Sequence, residues 1–447
     1  MDLSSALAFL QKQATTDGPS IYEHLTSVLT KVLEEKPTGA IDLLETSLLV
    51  KKTAFTAKES SPLVPISSAA DAARAVATAN LFGNPDLPVD PETGEPIEAE
   101  APNDYEAEDV VGDGMLLDAV GVGLGRAEMY NIALAVKKLG EDAKRGVARV
   151  RFFGKFFGLH ADYYVFETEL KEPPEVPDAP EGTVPFEPTG TGSNKYVYFV
   201  CNYLGGAMTQ LPFVTPDQIK AARLIKKFLT GRLTSHVATY PQFPGTEANF
   251  LRAQIARIAA TTVCAPSGLF LAGEEPGVVE TSEDFAGFPG RELSSVVNWV
   301  HRYPHMKKQG RCELFKREPP EGEEDTWEPS LEEQEEGPEP LSSLEQDAPL
   351  ADGSPAWAPL VSSSSEGVKF QIGGVRSNLW PGAFVAGADK RFCNIYVGWG
   401  IKNAPYVPMP PPPVAKEFDL ALVESLELPP KPAPPPAEGE GEEGGDE

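Results

Sequence analysis

Residues that could do chemistry are scattered along this chain, and each lacks a partner its reaction would need. His301 and His305 stand four apart, the spacing at which two imidazoles on one helical turn share a metal ion. Pro304 lies between them and would break such a helix, and no Glu occupies the usual place of a general base. The pair therefore reads as a surface or interface feature. Gly121, Gly123 and Gly125 spell G-x-G-x-G rather than G-x-G-x-x-G, with no strand before them, so they read as a joint between helices. No P-loop Lys-Ser/Thr pair is present. Cys312 has no acid or base pattern beside it, and Ser267 lacks the leading Gly-x of a nucleophile elbow. Carboxylates are too many and too solvated to nominate a general acid and base. No catalytic, cofactor-binding or metal site is therefore expected, and no cofactor. The most basic cluster, Arg223, Lys226, Lys227 and Arg232, reads either as a docking patch for an acidic surface or as a solvated helix face.

The elements around these residues carry packing signals instead. Asn194 to Asn202, Ser377 to Ala383 and Asn394 to Gly400 are aromatic, β-branched and punctuated by Gly or Pro, the pattern of short packed strands and tight turns. Tyr196, Tyr198, Trp299, Trp380, Tyr396 and Trp399 are the expected core residues. Near the N-terminus Tyr22, Leu25, Val28, Leu29 and Leu33 recur at helical spacing, and Ile41 and Leu44 open a second apolar helix. Two such short helices cannot bury their faces alone, so Tyr22, Leu25, Leu29, Leu33, Ile41 and Leu44 are expected at an interface with a second copy or a related chain. Thr215 and Pro216 suit the start of a helix running to Leu229, and Glu247 to Ala260 reads as another. Tyr130, Leu134, Val136 and Leu139 form the apolar stripe of a further helix, ended by Gly140.

Composition bounds the partners. The 447 residues carry 38 Lys plus Arg against 67 Asp plus Glu, a net charge of −29. Such a surface repels nucleic-acid backbones and anionic membranes, so neither is expected. Four scattered cysteines give neither a disulfide framework nor a zinc pattern and read as reduced thiols. No leader or membrane-spanning run is evident, which suggests a soluble cytoplasmic protein. With 44 prolines, part of the chain should fold and part should not.

The expected fold class is α+β, with an N-terminal helical dimerisation-type module, an irregular mixed core, and Pro-rich and acidic disordered linkers and tail. Residues 1–55 form the helical module, 56–103 a linker that could hold one helical piece at Asp71 to Ala79, and 104–170 helices plus a strand pair. A Pro-rich linker at 171–193 precedes a mixed core at 194–316, with a strand and two helices. An acidic disordered insert spans 317–368, a β segment at 369–406 completes the core, and a Pro-rich acidic tail fills 407–447.

One longer pattern goes beyond these signals. Asn194 to Asn202, Leu211 to Leu233, Tyr240 to Ile258, Gly121 to Arg126, Phe153 to Phe157, Trp299 to His301, Gln309 to Cys312, Ser377 to Ala383 and Tyr396 to Gly400 together resemble the radial spoke head protein 4/6 family of motile cilia and flagella. The resemblance runs in order across most of the chain. It implies a non-enzymatic structural subunit of the axoneme, part of the cytoskeleton. Its implied partners are a paralogous spoke-head subunit in a homo- or heterodimer, other spoke head and stalk proteins, and, transiently, the central-pair projections. Contact with those projections would pass down the stalk to regulate dynein. A short N-terminus, and Phe152 where animal members carry Trp, point to an algal or protist source. The N-terminal helices are also similar to the dimerisation-docking fold of kinase regulatory subunits, a four-helix bundle built from two chains. Two other readings stay open: a cytosolic adaptor or scaffold using its Pro-rich acidic tail, and an enzyme or ligand-binding protein built on the mixed core.

Overall fold

A computed structural model of the chain describes residues 3–12, 20–36, 38–39, 69–82, 103–180, 182–273, 279–317, 328–362, 371–405, 414 and 431–432. The helices are α1 (Leu3–Gln11), α2 (Ile21–Glu35), α3 (Ala69–Phe82), α4 (Val110–Ala119), α5 (Arg126–Glu141), α6 (Pro216–Leu224) and α7 (Glu247–Thr262). The strands are β1 (Glu106–Ala107), β2 (Val147–Phe156), β3 (Tyr163–Leu170), β4 (Val197–Cys201), β5 (Thr209–Gln210), β6 (Cys264–Pro266), β7 (Phe270–Ala272), β8 (Val279–Thr281), β9 (Trp299–His301), β10 (Trp357–Val361), β11 (Gly373–Ser377), β12 (Ala383–Ala388) and β13 (Arg391–Gly398). The α+β expectation holds.

One sheet organises the described residues, in the order β10-β11-β12-β13-β2-β3-β4-β5, with β1 beside β2. Its seam is the pairing of β13 with β2, parallel, which places Tyr396 opposite Gly154. A Cβ on residue 154 would lie 2.0 Å from the Tyr396 carbonyl oxygen, so only glycine permits this approach. Strands more than 200 residues apart in sequence are thus joined edge to edge.

Each face of the sheet is covered by helices, because alternate residues of β2 to β4 point to opposite sides. On one face Leu117, Met129, Ile132, Val136 and Leu139 from α4 and α5 pack on Val150, Phe152, Phe166 and Phe199. On the other, Ile219 of α6 and Phe250, Leu251, Ile255 and Ile258 of α7 pack on Phe153, Phe156, Tyr163, Tyr198 and Tyr396. A third cluster joins Trp299, Trp357, Leu293, Val375 and Val385.

Several sequence expectations change. The helix expected to reach Leu229 stops at Leu224, because Ile225 turns extended (φ −105°, ψ 128°). Leu229 then accepts a backbone hydrogen bond from Leu159 at 2.9 Å and forms a parallel bridge with Gly158. In α5 the buried stripe is Met129, Ile132, Ala135, Val136, Leu139 and Gly140, whereas Tyr130 is exposed. Of the stretch 317–368, expected to be a disordered acidic insert, the described residues 328–362 supply β10 to the sheet and bury Glu333, Leu344 and Trp357. Its charge count hid a short apolar run, Trp357 to Val361, that pairs with β11. The Pro-rich stretch 171–193 is likewise not disordered where described, because Glu187 within it is buried and fully hydrogen-bonded. Helix α3 docks through Ala77 and Leu81, with Arg74 over the Tyr203 ring at 5.6 Å.

At the N-terminus Ser20 caps α2 in a capping box with Glu23. The second apolar helix, with Ile41 and Leu44, lies outside the described residues, as does most of the tail. No helix among the described residues is long and apolar enough to cross a membrane.

Candidate functional site

The polar residues that matter sit inside the sheet. Arg151 on β2, Glu167 on β3 and Tyr198 on β4 stand directly opposite one another across three adjacent strands. Arg151 donates two bonds to Glu167, from Nε and Nη2, each 3.0 Å long. Tyr198 and Tyr303 donate their hydroxyls to the same carboxylate at 2.9 and 3.1 Å. Burial alone would raise Glu167, but the Arg151 charge and these donors hold it below the usual carboxylate range. Burial opposes the charge of Arg151 as well, and Glu167 outweighs it, so the guanidinium stays charged. Burial, then the Glu167 charge, pushes both phenols well above their ordinary value. The cluster holds three strands and the Tyr303 loop together.

Two further carboxylates act as fasteners between segments remote in sequence. Glu247, at the first turn of α7, is 3% exposed. It accepts from the Tyr163 hydroxyl at 2.7 Å, the Thr230 hydroxyl at 2.8 Å, and the Thr230 and Gly231 amides at 2.9 Å. Gly231 adopts φ +94°, and a Cβ there would strike the Ala161 carbonyl at 2.4 Å. Glu187 gathers the Ser193 amide and hydroxyl at 2.8 and 2.6 Å with the Cys312 and Glu313 amides at 2.9 and 3.0 Å. A buried carboxylate that collects several backbone donors fixes a loop by satisfying groups that would otherwise be orphaned.

The residues singled out from sequence fall in different places. Tyr198, Trp299, Trp380 and Tyr396 are buried, and Tyr196 is half-buried beside Tyr303 with ring centres 5.6 Å apart. Trp299 donates its indole N–H to the Leu293 carbonyl at 2.7 Å, and the Tyr396 hydroxyl accepts from the Gly400 amide at 2.8 Å. Trp399, expected in the core, is 44% exposed. It leans edge-on against Phe157 at 5.4 Å and Phe228 at 5.1 Å, because it follows β13 and lies past the edge of the buried layer.

The basic cluster is largely engaged within the chain. Arg223 caps the carbonyls of Lys308, Met306 and Lys307, Lys227 reaches the Ala238 carbonyl at 3.0 Å, and Lys226 donates to the Ala404 carbonyl. Arg232 contributes its amide to the Glu247 nest, while its residue surface is exposed. His301 ends β9 and meets Asp347 at 3.0 Å, and Asp347 also accepts from the Trp357 indole at 2.6 Å. His305 makes no shared site with it, and burial lowers its basicity. Among the described residues no group of His, Cys, Asp and Glu is arranged to hold a metal. The four cysteines are free and buried, and burial raises each thiol, Cys201 to about 12.

On α2, Tyr22, Leu25, Leu29 and Leu33 are 43%, 49%, 59% and 70% exposed, one apolar face open to solvent. Sequence reasoning missed the fasteners. Glu167, Glu187 and Glu247 look like any of the other acidic residues until the fold surrounds them. A faint signal existed for Glu167, which interrupts the apolar run from Tyr163 to Phe166.

Buried carboxylates thus join strands and loops remote in sequence, and α2 leaves an apolar face exposed. The sequence matches the radial spokehead-like protein family over residues 6–181 and 171–428. It is 53% identical to flagellar radial spoke protein 4 of Chlamydomonas reinhardtii, covering 95% of this chain and 95% of that protein. It is 36% identical to radial spoke head protein 4 homolog A of Homo sapiens, over 93% of this chain but 64% of the human protein. Radial spoke head protein 6 homolog A of Xenopus tropicalis is 34% identical, over 92% of this chain and 87% of its own length. The chain belongs to the radial spokehead-like protein family.

Proposed function

We propose that this chain is a structural subunit of the radial spoke head, in the axoneme of cilia or flagella, and that it relays mechanical contact from the central pair toward dynein. Family membership is the observation that carries the reading. The interior supports it: chemistry-bearing side chains are spent on closing the fold, as a part under repeated load requires. Other radial spoke components are its partners. The open α2 face, Tyr22 to Leu33, suits a helix of a second subunit, a copy or a paralogue, since an apolar stripe of this kind is stable only when covered.

The acidic surface near 332–346 presents Glu336, Glu339 and Glu345 to solvent. Its field reaches about 8 Å at physiological salt, enough to bias a brief contact. Deleting all of 318–368 would remove β10, so the test must be milder. A chain with Glu336, Glu339 and Glu345 changed to Gln should copurify with spoke heads from axonemal extract as the unaltered chain does, while the beat waveform changes. Absence of the unaltered chain from that fraction would sink the assignment. Failed copurification of the altered chain alone would make this face an assembly surface rather than a contact surface.

A further inference from the structure

A cavity of about 160 Å³ opens beside β4 and β5, next to the Glu167 cluster. Tyr196, Tyr198, Leu211, Pro212, Phe213 and Arg252 form much of its wall, and Glu175 and Val176 stand at its rim. Arg252 is 2% exposed. Its Nη2 donates to the Ser193 carbonyl at 2.6 Å and to the Asn194 side-chain oxygen at 3.4 Å, and its guanidinium lies 4.6 Å from the Tyr198 ring centre. Its Nη1 is buried and has no hydrogen-bond partner. Glu167, the carboxylate of the adjoining cluster, serves Arg151, and Arg252 has no carboxylate within ion-pair distance among the described residues. A buried cation with a vacant donor is costly unless an anion completes it.

We propose that this cavity binds a carboxylate borne on a small apolar body, with Arg252 meeting the carboxylate and Leu211, Pro212, Phe213 and the tyrosine rings meeting the body. The favoured source is the carboxyl-terminal residue of a partner polypeptide. Gln210, on the outermost strand of the sheet, also lines the cavity and offers backbone beside it to an extended chain. Exposed Glu175 carries the wrong charge for the ligand, which places the carboxylate at the inner end, by Arg252, and the rest of the ligand toward the rim.

The probes are N-acetyl-leucine, a pentapeptide ending in a free leucine, and the same pentapeptide as its carboxamide, titrated into the full chain by calorimetry. The free-acid peptide should bind at least about tenfold more tightly than the amide, the margin of a charge-assisted contact. Val176→Trp, a rim change outside the packed core, should abolish binding without shifting the melting temperature. Arg252→Met should abolish it too; should that variant misfold, the acid-amide comparison and the rim variant still decide. If N-acetyl-leucine binds as well as the peptide acid, the ligand class stands and its source is a free small carboxylate. Equal binding of acid and amide, no binding of either at millimolar concentration, or binding untouched by Val176→Trp would overturn the proposal.

Discussion

Replacing Glu247 by Ala is expected to cost the fold about 4 kcal/mol, although the side chain belongs to no catalytic motif. The carboxylate accepts from two hydroxyls and two amides between 2.7 and 2.9 Å, with the Arg232 amide more loosely at 3.3 Å. A hydrogen bond to a charged acceptor contributes about 1.5 to 3 kcal/mol, and each buried donor left orphaned adds desolvation cost, but the effects overlap and do not sum. Glu247→Gln keeps one oxygen for Tyr163 and Gly231 and turns the other into an amide group facing the Thr230 N–H. It should cost about 2 kcal/mol. Urea denaturation followed by circular dichroism measures both. Hydrogen exchange adds location: the Leu159 and His160 amides, bonded to the Leu229 and Thr230 carbonyls at 2.9 and 3.0 Å, should lose protection first. An Ala variant within about 0.5 kcal/mol of the parent, the ordinary range for surface changes, would refute the reasoning.

The tryptophans should separate: Trp299→Ala, at a fully buried ring, should cost about 3 to 5 kcal/mol, whereas Trp399→Ala, at a half-exposed one, should cost under about 2 kcal/mol, both read by chemical denaturation. Equal losses would show that exposure does not govern this edge of the fold. Asp113 sits on α4, where burial, then the Glu108 charge, lifts its carboxyl to about 7 despite Arg391 at 3.6 Å. Because the folded state holds this proton more tightly than the unfolded one, stability from this group falls as pH rises from about 4 to about 7 and stays low above that. Asp113→Asn should therefore raise the melting temperature at pH 8 and leave it nearly unchanged near pH 4; a gain of equal size at both would place the effect elsewhere.

Strands and helices with strong local signals were legible in the chain. The runs at Arg149 to Phe153, Tyr163 to Glu167 and Val197 to Cys201 carry the β-branched and aromatic residues that strands require, and Thr215 with Pro216 marks a helix start in plain terms. Helix length was less so, because Ile225 and Leu229 fit a helical stripe and an extended edge equally well. Strand β10 escaped because its five residues lie inside a stretch dominated by charge, and pairing with β11 outweighs that local composition. Exposure of Trp399 depends on where β13 ends, a tertiary fact no spacing reveals. The fasteners were hidden for the same reason: whether a glutamate is a solvated charge or a buried acceptor is set by chain segments far away. The cavity at Arg252 was invisible too, since the sequence shows only that an arginine lies beside an apolar helix stripe.

Electron cryo-tomography of axonemes from cells lacking this chain tests the central claim most directly. The account predicts spokes whose heads are missing or incomplete while the stalks remain, with heads restored when the full chain is returned. Complete heads in its absence would contradict it.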